Sequence, residues 1–148
     1  MDARHISHLK VSMGIIYSGC FYIPLDPAAP TERLRTIFDS LEPSLVIYDE
    51  KGEKHKDALK DQYPFVDYHS LLDTPVDIEF LDAVRKKSTT FDILFIMYTS
   101  GSTGVPKGAV HTHQDLIRYM EITVHVYPFD ENTIFGNQSP FFYANCVH

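Results

Sequence analysis

Cysteine is nearly missing: Cys20 and Cys146 are the only two in 148 residues. They stand far apart and form no Cys-x-x-Cys pair, so nothing suggests a disulfide-built secreted scaffold. Both are read as reduced thiols of a cytoplasmic protein. Basic residues are also scarce, 13 Lys and Arg against 20 Asp and Glu, for a net charge of −7. A broad nucleic-acid surface needs clustered cations. The one basic run, Arg85-Lys86-Lys87, reads as a solvated helix end. No apolar run is long enough to span a membrane. Met1 to His5 lead into an amphipathic stretch, so no secretory leader is expected. Nucleic acid and membrane are therefore not expected as partners.

Apolar residues make up 44% of the chain and aromatics 13%, enough for one globular domain with a real core. No internal repeat or low-complexity segment is visible. Ile6, Leu9, Met13, Ile16 and Tyr17 recur at helical spacing, predicting a helix from Arg4 to Ser18 that Gly19 ends. Cys20 to Leu25 reads as a short strand. Pro24, Pro27 and Pro30 enforce an extended turn before Thr31, a good N-cap. Leu34, Ile37, Phe38 and Leu41 mark the next helix. Pro43 stops it, and Leu45 to Tyr48 reads as a buried strand. Strand, helix and strand in this span predict a βαβ unit and a parallel sheet.

Glu50 to Lys60 is expected as a short exposed helix and Phe65 to Tyr68 as an edge strand. Asp73 to Thr90 is expected as a loop with one or two helical turns around Phe80 to Val84. Ile93 to Tyr98 reads as a buried strand, and Ala109 to Thr112 should be a second strand. Leu116, Ile117, Met120 and Val124 mark a following helix, and Thr133 to Gly136 a further strand.

Between the two central strands lies Thr99-Ser100-Gly101-Ser102-Thr103-Gly104-Val105-Pro106-Lys107-Gly108. Gly/Ser/Thr runs commonly mark flexible turns or linkers. The apolar run before this one, and the strand pattern after it, argue against a linker. Glycines let backbone N–H groups converge on one point, hydroxyls add donors, and lysine adds a mobile positive charge. A polyphosphate suits that combination. The spacing is not a Walker A, because Pro106 stands where its second glycine belongs and Gly108 replaces its Ser/Thr. It also lacks the Gly-x-Gly start of a dinucleotide fingerprint.

Tyr98 through Gly108 resembles the phosphate-loop signature of the AMP-forming adenylate ligases. That family includes acyl- and aryl-CoA synthetases, peptide-synthetase adenylation domains and D-alanine–carrier ligases. Tyr17 through Pro27 is similar to the family's upstream Gly, Tyr-x-Pro, Asp-Pro segment, and Pro30 to Leu34 to its Pro-x-x-Arg continuation. Val110 to Leu116 resembles the strand and helix start after the loop. The resemblance is weakest between Glu50 and Thr90. It implies an α/β fold, part of the large N-terminal domain of such a ligase, with βαβ units and a mostly parallel, incomplete sheet over residues 1–148.

The implied chemistry joins a carboxylic or amino acid to the α-phosphate of ATP, releases pyrophosphate, and passes the acyl group to a thiol of coenzyme A or of a carrier protein's phosphopantetheine. Thr99, Ser100, Gly101, Ser102, Thr103, Gly104 and Lys107 would bind the ATP phosphates. Lys107 would either neutralise charge or shape the loop. Mg²⁺ would bridge the phosphates, the family's carboxylate for it falling beyond this sequence.

Asn137 to Val147 resembles the start of the acyl-pocket motif, placing Phe142, Tyr143 and Ala144 in the substrate pocket. Ala144 stands where amino-acid-activating members carry an Asp for the substrate ammonium. A buried ammonium without a carboxylate is costly. His111 and His113, two apart, would share one face of a strand, but with no third ligand nearby no metal site is expected. Cys146 has no recognisable base partner. The resemblance further implies that the C-terminal domain is absent and the isolated chain inactive. The alternative is a non-catalytic nucleotide- or partner-binding module derived from the same domain.

Overall fold

The computed structural model describes residues 6–99, 106–136 and 139. Helix α1, Ile6–Tyr17, opens the chain. It ends as its glycine predicts. Gly19 takes a φ of 77°, its N–H donates to the Ile16 carbonyl at 3.0 Å, and the Cys20 N–H donates to Ile15 at 3.2 Å. These paired bonds satisfy the last carbonyls of the helix in the left-handed cap that glycine adopts without strain. A Cβ on Gly19 would also stand 2.8 Å from Val84 Cγ1.

Cys20 to Leu25 does not form the expected strand. It makes a single parallel bridge, Tyr22 to Phe95. The Tyr22 N–H donates to Leu94 at 3.3 Å and the Ile96 N–H donates to Tyr22 at 3.1 Å. The next donor in a parallel ladder would be residue 24, and Pro24 has no N–H, so the ladder stops. Helix α2, Thr31–Leu41, follows. Thr31 is its first residue, not its cap: Pro30 holds the cap position without a side-chain bond. The Thr31 hydroxyl instead lies 2.9 Å from His55 Nδ1, while His55 Nε2–H donates to the Pro27 carbonyl at 3.0 Å.

Strand β1, Val46–Tyr48, pairs in parallel with β2, Phe65–Asp67. A 3₁₀ turn, Glu50–Gly52, and helix α3, Glu53–Leu59, cross between them. This is the parallel βαβ unit, one crossover later than the sequence pattern placed it. The connection is not wholly exposed, since His55 and Leu59 are buried. Leu59 joins Leu34, Ile37 and Phe38 in the first core. The Phe38 ring meets Tyr63 edge-on at 5.1 Å.

Tyr68 leaves β2 and starts the one-turn helix α4, Tyr68–Leu71. The expected loop from Asp73 to Thr90 holds a ten-residue helix, α5, Ile78–Lys87. Asp77 caps it by accepting from the Phe80 N–H at 2.9 Å, and its basic last turn suits the helix dipole. None of its residues is fully buried, but Leu81 and Val84, three apart, are its half-buried side and follow Ile78 at the same spacing.

Strand β3, Ile93–Thr99, pairs antiparallel with β4, Lys107–Thr112, and helix α6, His113–Val126, follows directly. Leu94, Phe95 and Met97 form the second core, against Ile16, Tyr22 and Leu116. Thr133 to Gly136 is not a strand. Ile134 there is 95% exposed and meets no sheet edge. Among the described residues no helix is long and apolar enough to cross a membrane.

Candidate functional site

The β3–β4 hairpin places the glycine- and hydroxyl-rich segment. Four successive residues of β3, Leu94 to Met97, are buried, so this strand is covered on both faces. Its partner β4 is open, with Lys107 to Val110 all exposed. The register ends on the pair Thr99–Lys107, where the Thr99 hydroxyl lies 3.4 Å from the Lys107 carbonyl. Of the sequence-predicted phosphate ligands, Thr99 thus closes β3 and Lys107 opens β4, side by side at the hairpin mouth. Ser100, Gly101, Ser102, Thr103 and Gly104 lie outside the described residues, as do the pocket residues Phe142, Tyr143 and Ala144 and the thiol Cys146.

Two features of the hairpin escape sequence reasoning. Gly108 pairs with Tyr98 across the strands, and a Cβ on it would fall 2.8 Å from Ile96 Cγ2 and 3.3 Å from Tyr98 Cζ. Any side chain there must displace the Tyr98 ring or Ile96. Tyr98 in turn reaches α2, its hydroxyl 3.2 Å from Ser40 Oγ. Ser40 gives its own hydrogen to the Ile37 carbonyl at 2.8 Å, so Tyr98 is the donor. This bond, together with Tyr98's packing on the first core, ties the loop's entry strand to the neighbouring layer. A glycine directly after the lysine was the one sequence signal of that close approach.

At the other end of the hairpin the start of α6 is chemically saturated. The Thr112 hydroxyl accepts from the Asp115 N–H at 3.2 Å, and the Asp115 carboxylate accepts from the Thr112 N–H at 2.8 Å, a complete capping box. The His113 N–H donates to the Asp92 carbonyl at 3.2 Å and the Gln114 N–H to Thr90 at 2.8 Å. The N–H groups of the first three helical residues are therefore occupied. The bonds from Thr112 hold the Asp115 carboxyl below its ordinary range, and those from Thr89 do the same for Asp92. The backbone N–H groups that open α6 are therefore not available to an anion.

The two histidines do not share a strand face. His111 lies in β4 and stacks on Phe95, ring centroids 4.6 Å apart, whereas His113 is the first residue of α6. A cavity of about 20 Å³ remains between Phe95, His111, Asp115 and Leu116. Among the described residues no three His, Cys, Asp or Glu side chains converge as a metal site.

The sequence model of the family described as "AMP-binding enzyme" matches residues 3–148. Gramicidin S synthase 2 of Brevibacillus brevis is 26% identical over 147 residues, which are 99% of this chain and 3% of that protein. The nonribosomal peptide synthetase acrB of Aspergillus aculeatus is 35% identical over 105 residues, 70% of this chain and 6% of that protein. The chain thus spans only a small part of the curated relatives it matches. Among solved structures, McyG A-PCP complexed with phenylalanyl-adenylate superposes with a TM-score of 0.78 at 19% identity, covering 98% of this chain and 24% of that one. ATP-bound MatB from Rhodopseudomonas palustris gives a TM-score of 0.74 at 20% identity over 97% of this chain and 30% of that one. The fold is that of the N-terminal domain of adenylate-forming ligases, and the chain belongs to the AMP-binding enzyme family.

Proposed function

We propose that the hairpin holds the phosphates of ATP in an acid-activating reaction. A carboxylate oxygen of the acid attacks the α-phosphorus, the bond to the bridging oxygen breaks, and pyrophosphate leaves with an acyl-adenylate formed. Attack of one anion on another requires charge neutralisation and alignment rather than covalent help. The observation that carries this reading is the hairpin mouth: Thr99 and the exposed Lys107 are adjacent there, flanking a segment of glycines and hydroxyls, while the donors of α6 are occupied. Mg²⁺ would neutralise phosphate charge, the family's carboxylate for it falling beyond this sequence.

Transfer of the acyl group to a carrier-protein phosphopantetheine is favoured over coenzyme A. The support is the likeness to peptide synthetases and to the structure of McyG A-PCP. Ala144, where amino-acid-activating members carry a carboxylate, favours a carboxylic acid or an amino acid whose ammonium is held by another residue. The 148 residues are proposed to bind nucleotide without completing acyl-adenylate turnover on their own.

The test is thermal unfolding of the chain with and without ATP. A ligand at 100 times its dissociation constant stabilises by about 2.7 kcal/mol. That shift is expected for the natural chain and should be lost in Lys107→Ala. A shift that survives Lys107→Ala, or no shift at all, overturns the assignment of phosphate to this hairpin.

A further inference from the structure

Packing holds the outer end of the hairpin only lightly. Full burial along β3 stops at Met97; Tyr98 is half-buried and Thr99 is exposed. On β4, Lys107 through Val110 are all exposed. The mouth pair Thr99–Lys107 therefore stands one register step beyond Tyr98 and Gly108, past the covered part of the strand. A two-stranded ribbon without cover twists easily and is marginal by itself. Where such a mouth sits depends on whatever fastens the residues just behind it.

Tyr98 is the fastening. Its ring lies over Gly108, where a Cβ would come within 3.3 Å of Cζ and 3.4 Å of Cε2. Its hydroxyl donates to Ser40 Oγ at 3.2 Å, in the last turn of α2. Ser40 is fixed in turn, because its own hydrogen goes to the carbonyl of Ile37, a residue only 2% exposed. Each hydroxyl has one hydrogen to give, so the chain runs in one direction, from Tyr98 through Ser40 to the first core. Its outer end is the residue next to Thr99 and, across the pair with Gly108, next but one to Lys107. The Tyr98–Ser40 bond is open to water and contributes little to folding. Its geometric effect is larger, since a binding constellation needs its groups held within about 0.5 Å by supporting hydrogen bonds.

We propose that Ser40 is a positioning residue for the phosphate-holding hairpin. Through Tyr98 it sets where Thr99 and Lys107 meet ATP, without touching the ligand. The inference rests on the reading of the hairpin mouth as the phosphate site, and it extends that site to a helix 58 residues upstream in sequence.

The test is calorimetric titration of the chain with ATP, well below its unfolding midpoint, with the midpoint recorded for every variant. Ser40→Ala and Tyr98→Phe remove the same bond from its two ends, and Tyr98→Phe keeps the ring. Each is expected to weaken ATP binding about three- to tenfold. The double variant should be no weaker than either single one, because all three lose one bond. Ser40→Thr keeps the hydroxyl and should bind as the natural chain does. A merely structural bond would lower the midpoint and leave the dissociation constant unchanged, and that result overturns the proposal. So do additive losses in the double variant, or a Ser40→Thr chain as weak as Ser40→Ala. Lys107→Ala separates this inference from the reading beneath it. If Lys107→Ala still binds ATP, or the natural chain does not, the hairpin is not the phosphate site and both fall. If Lys107→Ala loses ATP while Ser40→Ala binds normally, the role of Ser40 alone falls.

Discussion

The β1–β2 unit and the β3–β4 hairpin solve burial in opposite ways. Around β1 and β2, α2 turns Leu34, Ile37 and Phe38 inward and α3 adds Leu59, so a small core closes locally. In the hairpin, β3 is covered on both faces, yet β4 is open and α6 has no fully buried residue in fourteen. Met120, Ile122, Val124 and Val126 of α6 all remain exposed. Stability is concentrated in the first region and in β3, while the hairpin's outer strand presents polar chemistry at its mouth. Such a division suits a binding element carried by a firmer neighbour.

The largest test of this contrast truncates isoleucine in each region. Ile37→Ala removes a side chain that is 2% exposed and should cost about 2–5 kcal/mol. Ile122→Ala on α6, 65% exposed, should stay within about 0.5 kcal/mol. Denaturant midpoints at unchanged slope measure both, and comparable losses would mean that α6 is packed more firmly than its exposure shows. A smaller effect is expected at the glycines. Gly108→Ala pushes a Cβ against Ile96 and Tyr98 and should cost about 1–3 kcal/mol. Gly136→Ala meets nothing within 4 Å and should be neutral or slightly stabilising. If Gly108→Ala were also neutral, the Tyr98 tether would not constrain the hairpin.

The smallest effect lies in α1. Burial holds His8 below its ordinary value of 6.5. The unfolded chain therefore binds a proton that the folded chain resists, and stability should fall as pH drops from about 6.5 toward the folded value, flattening below it. Thermal midpoints from pH 7.5 to 5 should show this decline. In His8→Gln it should shrink, and an unchanged slope would assign the decline to other groups.

Much of the fold was legible where one rule acted alone. The span of α1, the stripe of α2, the Gly19 stop and the apolar run of β3 each follow from local pattern, but the stripe expected in α1 does not face inward: Leu9, Met13 and Tyr17 are exposed and Ser12 is buried. Failures came where two rules met. Apolar character marked Cys20–Leu25 as a strand, but Pro24 limited it to one bridge. Polar composition hid the length of α5, whose short stripe of Ile78, Leu81 and Val84 starts just after the Asp77 cap. Thr133 to Gly136 has strand-forming residues without a partner edge. At the site, residue types alone spoke for an anion, whereas the Tyr98–Ser40 bond joins positions 58 apart in sequence and no local pattern encodes it.

The capping box at the root of the hairpin has an electrostatic consequence. The bonds from Thr112 favour the charged form of Asp115 there. Lys107 puts a positive charge at the opposite end of β4, five residues from Thr112 along the strand, or about 17 Å. The hairpin is thus a polar rod with a fixed sense. On the proposed reading, an elongated anion such as ATP would be turned with its most charged end toward the loop before it binds.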